Sequence, residues 1–243
     1  MTKPIYAIGD IHGQLDELER VLSLIEADGG PDAHIVFLGD YVDRGPDSRG
    51  VIQTLIDGQR AGKPWTAIKG NHDRYFSRFL EDQTVFDPAT RSGLYWLNSR
   101  LGGDTTLASY GVIAEDGQPL EPIHAAAINT VPDEHLRFMQ DLPLMHHAGD
   151  LVFVHAGIRP GVALEHQLEN DLIWIRDGFL DDPRDHGPLV VHGHTALDYP
   201  QHHGNRVNLD AGAGYGRPLC AAVFEGRTGW VLTGNGRVPI PKA

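Results

Sequence analysis

Cysteine is almost absent from this chain: Cys220 stands alone among 243 residues, so no internal disulfide can brace the fold. Its setting in the apolar stretch 218–224 predicts a small buried hydrophobe rather than a reactive thiol. Long apolar runs are missing too. No uninterrupted stretch approaches the roughly 20 residues needed to cross a bilayer, which argues against a membrane partner. Met1-Thr2-Lys3-Pro4 leads into Ile5-Tyr6-Ala7-Ile8 without a signal-peptide core, so the expected location is cytoplasmic. Positive charge is scarce: 20 Lys and Arg against 33 Asp and Glu leave a formal net charge of −13, which would repel a polyanion and argues against nucleic acid as a partner. Two divalent ions bound by some of those carboxylates would offset about four of the charges.

What remains is an ordinary globular composition, 41% hydrophobic and 22% charged, on a length suited to one domain over residues 1–243. No repeat, low-complexity tract or linker divides it, and a monomer is the default expectation. The first third alternates β-rich runs with amphipathic stretches. Strands are predicted at 5–8, 34–38 and 65–68, with helices between them marked by Leu15, Leu18, Val21, Leu22 and Ile25, then by Val51, Ile52, Leu55 and Ile56. This is the signature of an α/β fold. From about 74 to 142 the pattern turns helical and irregular, with helices expected at 75–80, 94–101 and 134–142 forming a cap-like region. Strands follow at 151–154, 189–191, 206–209, 219–224 and 230–233, and residues 223–230 should close as a hairpin. The Pro- and Gly-rich end, 234–243, is expected to fray.

Three signatures sit about thirty residues apart, each just past the end of a predicted strand: Gly9-Asp10-Ile11-His12-Gly13, Gly39-Asp40-Tyr41-Val42-Asp43-Arg44-Gly45 and Gly70-Asn71-His72-Asp73. Loops at the carboxyl ends of strands are where open α/β sheets build ligand sites. These concentrate carboxylate, imidazole and amide donors, the mixed oxygen and nitrogen set that borderline divalent metals prefer, and point to a two-metal phosphoester hydrolase. Asp10 and His12 flank Ile11 and would project to one side of an extended strand end. Asp40 has two oxygens with which to bridge a metal pair, and Asn71 adds an amide oxygen. Downstream, Val154-His155-Ala156-Gly157 and His192-Gly193-His194-Thr195 present further imidazoles. Any one of these residues alone is more often a turn or a satisfied core group; five strand ends in order, each offering Asp, Asn or His, are hard to obtain by chance.

On these motifs the chain resembles the phosphoprotein-phosphatase branch of the calcineurin-like metallophosphoesterases in its bacterial form, whose pattern is GDxHG, GDxVDRG, GNHE, HAG and GHT. The resemblance runs from Ile8 to about Thr233, with four of five motifs complete. It implies an α/β calcineurin-like metallophosphoesterase fold, a central two-sheet β-sandwich flanked by helices. It also implies two divalent ions, manganese foremost with iron, zinc or magnesium as alternatives. Asp10, His12 and Asp40 would hold one ion; Asp40, Asn71, His155 and His194 the other. His192 falls at a usually apolar position and is expected to pack or support. The resemblance further makes His72 the general acid and Asp43 its orienting partner, which would raise the imidazole pKa. Arg44 and Arg176 would grip phosphoryl oxygens with their guanidinium forks. Lys69 could add a weaker point charge.

The expected reaction is direct in-line attack by a di-metal-bound hydroxide on a phosphoester. The substrate is a phosphorylated protein or a small phosphoester, and a serine/threonine protein phosphatase, with phosphotyrosine as a further substrate, is the first reading. Asp43 favours it, because an alkoxide leaving group needs an acid more than a nucleotide phosphate does. Asp73 argues the other way: protein phosphatases of the family usually carry Glu there, and Asp resembles the symmetrical diadenosine tetraphosphate hydrolases, the alternative reading. A catalytically silent phospho-binding scaffold is the third. Of the remaining residues, His146-His147 and His202-His203 are expected to face solvent, Trp65, Trp96 and Trp230 to pack, and Tyr215 either to touch substrate or to shape a turn.

Overall fold

The structure, a computed structural model, describes residues 3–90, 93–115 and 117–243. Two sheets form the centre. In the first, β1 (Ile5–Ile8), β2 (His34–Phe37) and β3 (Trp65–Ala67) run parallel, and β9 (Ala221–Glu225), β10 (Thr228–Thr233) and β11 (Gly236–Pro239) extend it antiparallel in the order β11-β10-β9-β1-β2-β3. In the second, β4 (Met145–Ala148), β5 (Leu151–Val154), β6 (Leu189–His192), β7 (Gln201–His202) and β8 (Arg206–Asn208) take the order β4-β5-β6-β8-β7, with β5, β6 and β8 parallel. This is the expected two-sheet α/β sandwich.

Strand alternation explains how both faces of the sheets are buried. Ala7, Val36, Leu38, Ala222 and Phe224 point from the first sheet into the sandwich and meet Leu151, Phe153, Leu189 and Val191 from the second. Tyr6, Ile8, Ile35, Phe37 and Val223 point the other way, against the helices. Val152, Val154 and Val190 face a third cluster with Leu172, Ile173 and Phe179 on the outside of the second sheet. Phe153 and Phe224 meet edge to face at 6.3 Å, and each buried ring contributes about 1.5–3 kcal/mol.

The connecting helices are α1 (Leu15–Gly29), α2 (Ser48–Arg60), α3 (Asn71–Asp82), α4 (Gly103–Ser109), α5 (Leu120–Thr130), α6 (Asp133–Asp141) and α7 (Glu169–Trp174). α1 buries Leu18, Val21 and Ile25, the stripe its spacing predicts. α3 packs on α5 and α6, and α2 on α4 and α6, so the segment expected as a cap lies largely along the flank of the first sheet.

Several expectations are corrected here. Residues 94–101 form turns rather than a helix, because tertiary bonds take the backbone of Trp96: its N–H donates to Val85 O at 2.7 Å and its carbonyl accepts from Gly103 N at 3.1 Å. α4 and α5 were not foreseen. The C-terminal segment docks instead of fraying: β11 pairs with β10, Ile240 is buried, and Ala243 N donates to His202 O at 3.2 Å. The hairpin of β9 and β10 closes as expected, with Glu225 opposite Thr228. His146 is half-buried between His34 and Phe153, and His202 and His203 are half-buried; burial pulls all three imidazoles below their usual pKa. Cys220 is only half-buried, with its thiol pushed up to about 11 by burial, which keeps it protonated and unreactive. No helix among the described residues is long and apolar enough to cross a membrane.

Candidate active site

All six parallel strands deliver their carboxyl ends to one edge of the sandwich, and the motif residues gather there. The cleft has a volume of about 210 Å³ and is lined by Asp10, His12, Asp40, Arg44, Asn71 and His72 from the first sheet's loops. Trp174, Arg176, His194, Asp210 and Tyr215 line it from the second half of the chain. The backbone there is strained. Among the described residues six non-glycines have positive φ, and five of them are His12 (49°), Asp40 (54°), Asp43 (74°), Arg44 (69°) and His194 (66°). Each left-handed residue costs about 1–2 kcal/mol, and such strain collects at functional sites. Glycines let the loops close: a Cβ on Gly70 would collide with Asp40 Oδ1, and one on Gly193 with Asp10 Oδ1.

Hydrogen bonds fix which nitrogens face inward. His155 Nδ1 donates to Leu38 O at 2.8 Å, so in the neutral ring Nε2 carries the lone pair. That nitrogen lies 2.9 Å from Asn71 Oδ1, 3.2 Å from His194 Nδ1 and 3.4 Å from Asp40 Oδ2. His12 Nδ1 donates to Val42 O at 2.9 Å, leaving its Nε2 3.6 Å from Asp40 Oδ2. Around His155 the lone pairs of Nε2, Asn71 Oδ1 and Asp40 Oδ2 converge without a proton between them, which fits a divalent cation, and the oxygen and nitrogen set suits a borderline transition metal. The donors fall into two sets, His12, Asp40 and His72, and Asp40, His155 and His194, with Asp40 common to both. Asp10 belongs to neither set; its carboxylate accepts from His194 N at 3.0 and 3.1 Å from the same cleft. His194 Nε2 is buried without a hydrogen-bond partner among the described residues.

The acids of this edge are crowded. Asp10 is pushed well up by burial and by the neighbouring charges of Asp210 and Asp40. Asp210 is raised by burial, although one oxygen accepts from Gly212 N at 2.9 Å. Asp210 carries no motif, and its place beside Asp10 in the cleft has no local signal in the sequence.

His72 Nδ1 donates to Asp43 Oδ2 at 2.6 Å, the pairing expected of them. Its Nε2 accepts from Arg44 Nη2 at 3.1 Å, while Arg44 Nη1 donates to His12 Nε2 at 2.6 Å. The expected upward shift of the imidazole does not appear. Burial pulls His72 down to about 3 and pushes Asp43 up to about 7, shifting each toward its uncharged form. The Arg44 guanidinium also lies 4.8 Å over the ring of Tyr215, which is 62% exposed at the cleft mouth. Arg176 lines the cleft after α7, with Nη2 donating to His194 O at 3.2 Å.

Three sequence-based readings change. Asp73 does not face the cleft: it is fully buried and accepts from Asp40 N, Tyr41 N and Gly70 N, each at 2.8 Å, tying two motif loops together. Burial and the Asp40 charge push it up to about 8, against those three amide bonds. Its identity therefore speaks of loop geometry, not of substrate. Lys69 turns away from the cleft, donating to Gln140 O at 3.2 Å. Trp96 packs as expected against Phe76 and Phe79, but its indole N–H also reaches Asp43. His192 is fully buried against Phe179 and bonded to Arg206 Nη1 at 3.2 Å, a supporting position as anticipated.

Comparison with known proteins agrees with this geometry. The family profile described as calcineurin-like phosphoesterase matches residues 3–224. A protein of Oceanobacillus iheyensis named asymmetrical bis(5′-nucleosyl)-tetraphosphatase PrpE is 26% identical, over 89% of this chain and 87% of its own length. A Methylococcus capsulatus protein named symmetrical bis(5′-nucleosyl)-tetraphosphatase is 33% identical over 64% of this chain, a match spanning 44% of that relative. Among solved structures, one described as a candidate diadenosine tetraphosphatase superposes with a TM-score of 0.65 at 23% identity, covering 99% of this chain and 95% of the other. A cold-active protein tyrosine phosphatase superposes at 0.64 with 16% identity, covering 100% and 80%. At those identities the superpositions speak for the fold alone. With the profile spanning all five motifs and the six parallel strands that carry them, the chain belongs to the calcineurin-like phosphoesterase family.

Proposed function

We propose that this metallophosphoesterase hydrolyses dinucleoside tetraphosphates, cleaving a phosphoric anhydride. The observation that carries this reading is the relative aligned over 89% of the chain and named a bis(5′-nucleosyl)-tetraphosphatase. It reverses the preference drawn from the sequence, where Asp43 had favoured a protein phosphatase. In this reading Asp10, His12, Asp40, Asn71, His155 and His194 hold two divalent cations, for which manganese is the first to test. Such a pair, when bound, supplies Lewis-acid polarisation of phosphoryl oxygens and activation of water at neutral pH.

The chain's own residues do the rest. Arg44 and Arg176 bind phosphoryl oxygens and neutralise charge that develops on them. His72, held by Asp43 through Nδ1, presents Nε2 to the leaving oxygen. A cleft of about 210 Å³ accommodates phosphoryl groups rather than a whole dinucleotide, so the nucleosides extend to the mouth, where the exposed ring of Tyr215 offers a stacking face.

A second reading, hydrolysis of phosphoserine, phosphothreonine or phosphotyrosine esters, rests on the Asp43–His72 pair, since an acid matters most for a poor leaving group. Purified protein with manganese, given diadenosine tetraphosphate and a phosphopeptide at equal concentration, separates the two. Faster consumption of the dinucleotide is expected, with ATP plus AMP marking off-centre cleavage and ADP alone central cleavage. Faster dephosphorylation of the peptide would overturn the proposal.

A further inference from the structure

Asp43 and Arg44 are consecutive left-handed residues, and their own motif supplies few of the contacts that hold them. The contacts come from about sixty residues downstream. Thr106, fully buried on α4, bonds both backbone and side chain of Asp43: its Oγ1 accepts from Asp43 N at 2.8 Å and donates to Asp43 Oδ1 at 2.6 Å. Trp96 Nε1 donates to Oδ2 at 2.9 Å. Ser48 Oγ accepts from Asp43 N at 3.2 Å and lies 3.2 Å from Thr106 Oγ1, where it can donate. The same segment reaches Arg44, whose N–H points at Gly102 O at 3.4 Å, and a Cβ on Gly102 would collide with Arg44 N.

Asp43 is therefore a carboxylate at 0% exposure whose oxygens are divided between Thr106, Trp96 and the His72 ring. Thr106 removes the rotational freedom of the carboxylate, and Trp96 holds the oxygen that His72 uses. We infer that Thr106 and Trp96 are positioning residues, which clamp Asp43 so that His72 Nε2 stays aimed at the leaving oxygen. The inference rests on the reading of His72 as the group facing the leaving oxygen, and it gives the segment from Trp96 to Thr106 a task beyond packing. Neither residue carries a motif, and Trp96 by itself looks like core.

The test needs a readout that packing alone would not move. Thr106→Val keeps the volume and removes the hydroxyl; Thr106→Ser restores it; Trp96→Phe keeps the ring packing and removes the N–H. In nitrogen-edited NMR of the folded proteins, the His72 Nδ1–H proton, bonded to Asp43 in wild type, is expected to move upfield or broaden in Thr106→Val and Trp96→Phe and to return in Thr106→Ser. An unchanged signal in both Thr106→Val and Trp96→Phe overturns the inference whatever the kinetics. Should Thr106→Val fail to fold, Trp96→Phe alone decides. In turnover, kcat for poor leaving groups should fall about 10- to 100-fold in Thr106→Val, as for other residues that orient a reacting group, with KM nearly constant and 4-nitrophenyl phosphate hardly affected. Loss of the signal with equal losses on all substrates would uphold the clamp and refute the leaving-group role of His72, so the two failures are distinguishable.

Discussion

The two ends of the parallel strands solve opposite electrostatic problems. At the carboxyl ends, Asp10, Asp43, Asp73 and Asp210 are buried near one another and all are pushed above the usual carboxylate range, chiefly by burial. At the amino ends, Asp28 closes α1 beside β1 and is held below that range by Arg237, which donates to it from Nε and Nη2, with Tyr6 Oη donating at 2.7 Å. One end leaves its acids for something else to neutralise; the other neutralises its acid with its own cation. Left-handed strain follows the same division, being concentrated in His12, Asp40, Asp43, Arg44 and His194. The lesson is that the stability of this fold is made elsewhere and spent at one edge.

Asp40 is where that contrast can be broken most severely. Asp40→Asn removes the carboxylate common to both donor sets while its backbone N–H can still bond Asp73. Metal-dependent turnover should fall roughly 10³-fold, since a two-metal clamp is worth several kcal/mol of transition-state stabilisation. Calorimetric titration with manganese should show weakened or lost binding. Retention of both binding and turnover would remove Asp40 from the centre of the site. Next in size is His72→Asn, which keeps polarity but cannot transfer a proton. Losses of about 10²–10⁴ are expected for alkyl phosphates and much smaller ones for activated aryl phosphates. Equal losses across leaving groups would refute the acid role.

How far these ends could be foreseen depends on the range of the forces involved. The donors at the working edge were legible because each sits on a glycine-bounded turn directly after an apolar strand, a local pattern. The strands themselves were legible from apolar runs, whose two buried faces the structure explains. The supports were not: Thr106 and Trp96 meet Asp43 across more than fifty residues of sequence, and only tertiary packing brings them there. The same packing unmade the helix expected at 94–101, because Trp96 gives its backbone to Val85 and Gly103. Asp73 was visible as a letter of a motif, yet its orientation inverted its meaning, from a clue about substrate to a staple between loops.

That staple offers a milder perturbation. Asp73→Asn would turn an amide N–H₂ toward at least one of the three backbone N–H groups that the carboxylate now accepts. Manganese affinity is expected to drop about 10- to 100-fold, the usual effect of disturbing a group that orients metal ligands, while activity recovers at saturating metal. The ratio of dinucleotide to phosphopeptide turnover should stay as in wild type. A changed ratio would return Asp73 to the discussion of substrate choice.

The smallest effect tests the other end. Because Arg237 lowers the pKa of Asp28 in the folded protein, its contribution to stability is fully present above the unfolded value near 3.9 and is lost as pH falls through the folded value. Asp43 has the opposite sign: pushed up to about 7, its contribution is present below the unfolded value and is lost as pH rises through 7. Asp28→Asn should therefore lower Tm at pH 7 by roughly 1–4 °C, a size set by the partly exposed position of the pair. The gap between variant and wild type should close as pH falls through the lowered folded value, leaving the neutral-to-alkaline limb of the curve unchanged. A gap that persists in acid would mean that Asp28 stabilises through the Tyr6 hydrogen bond and packing instead of its charge. The two ends of the strands would then differ in strain but not in electrostatics.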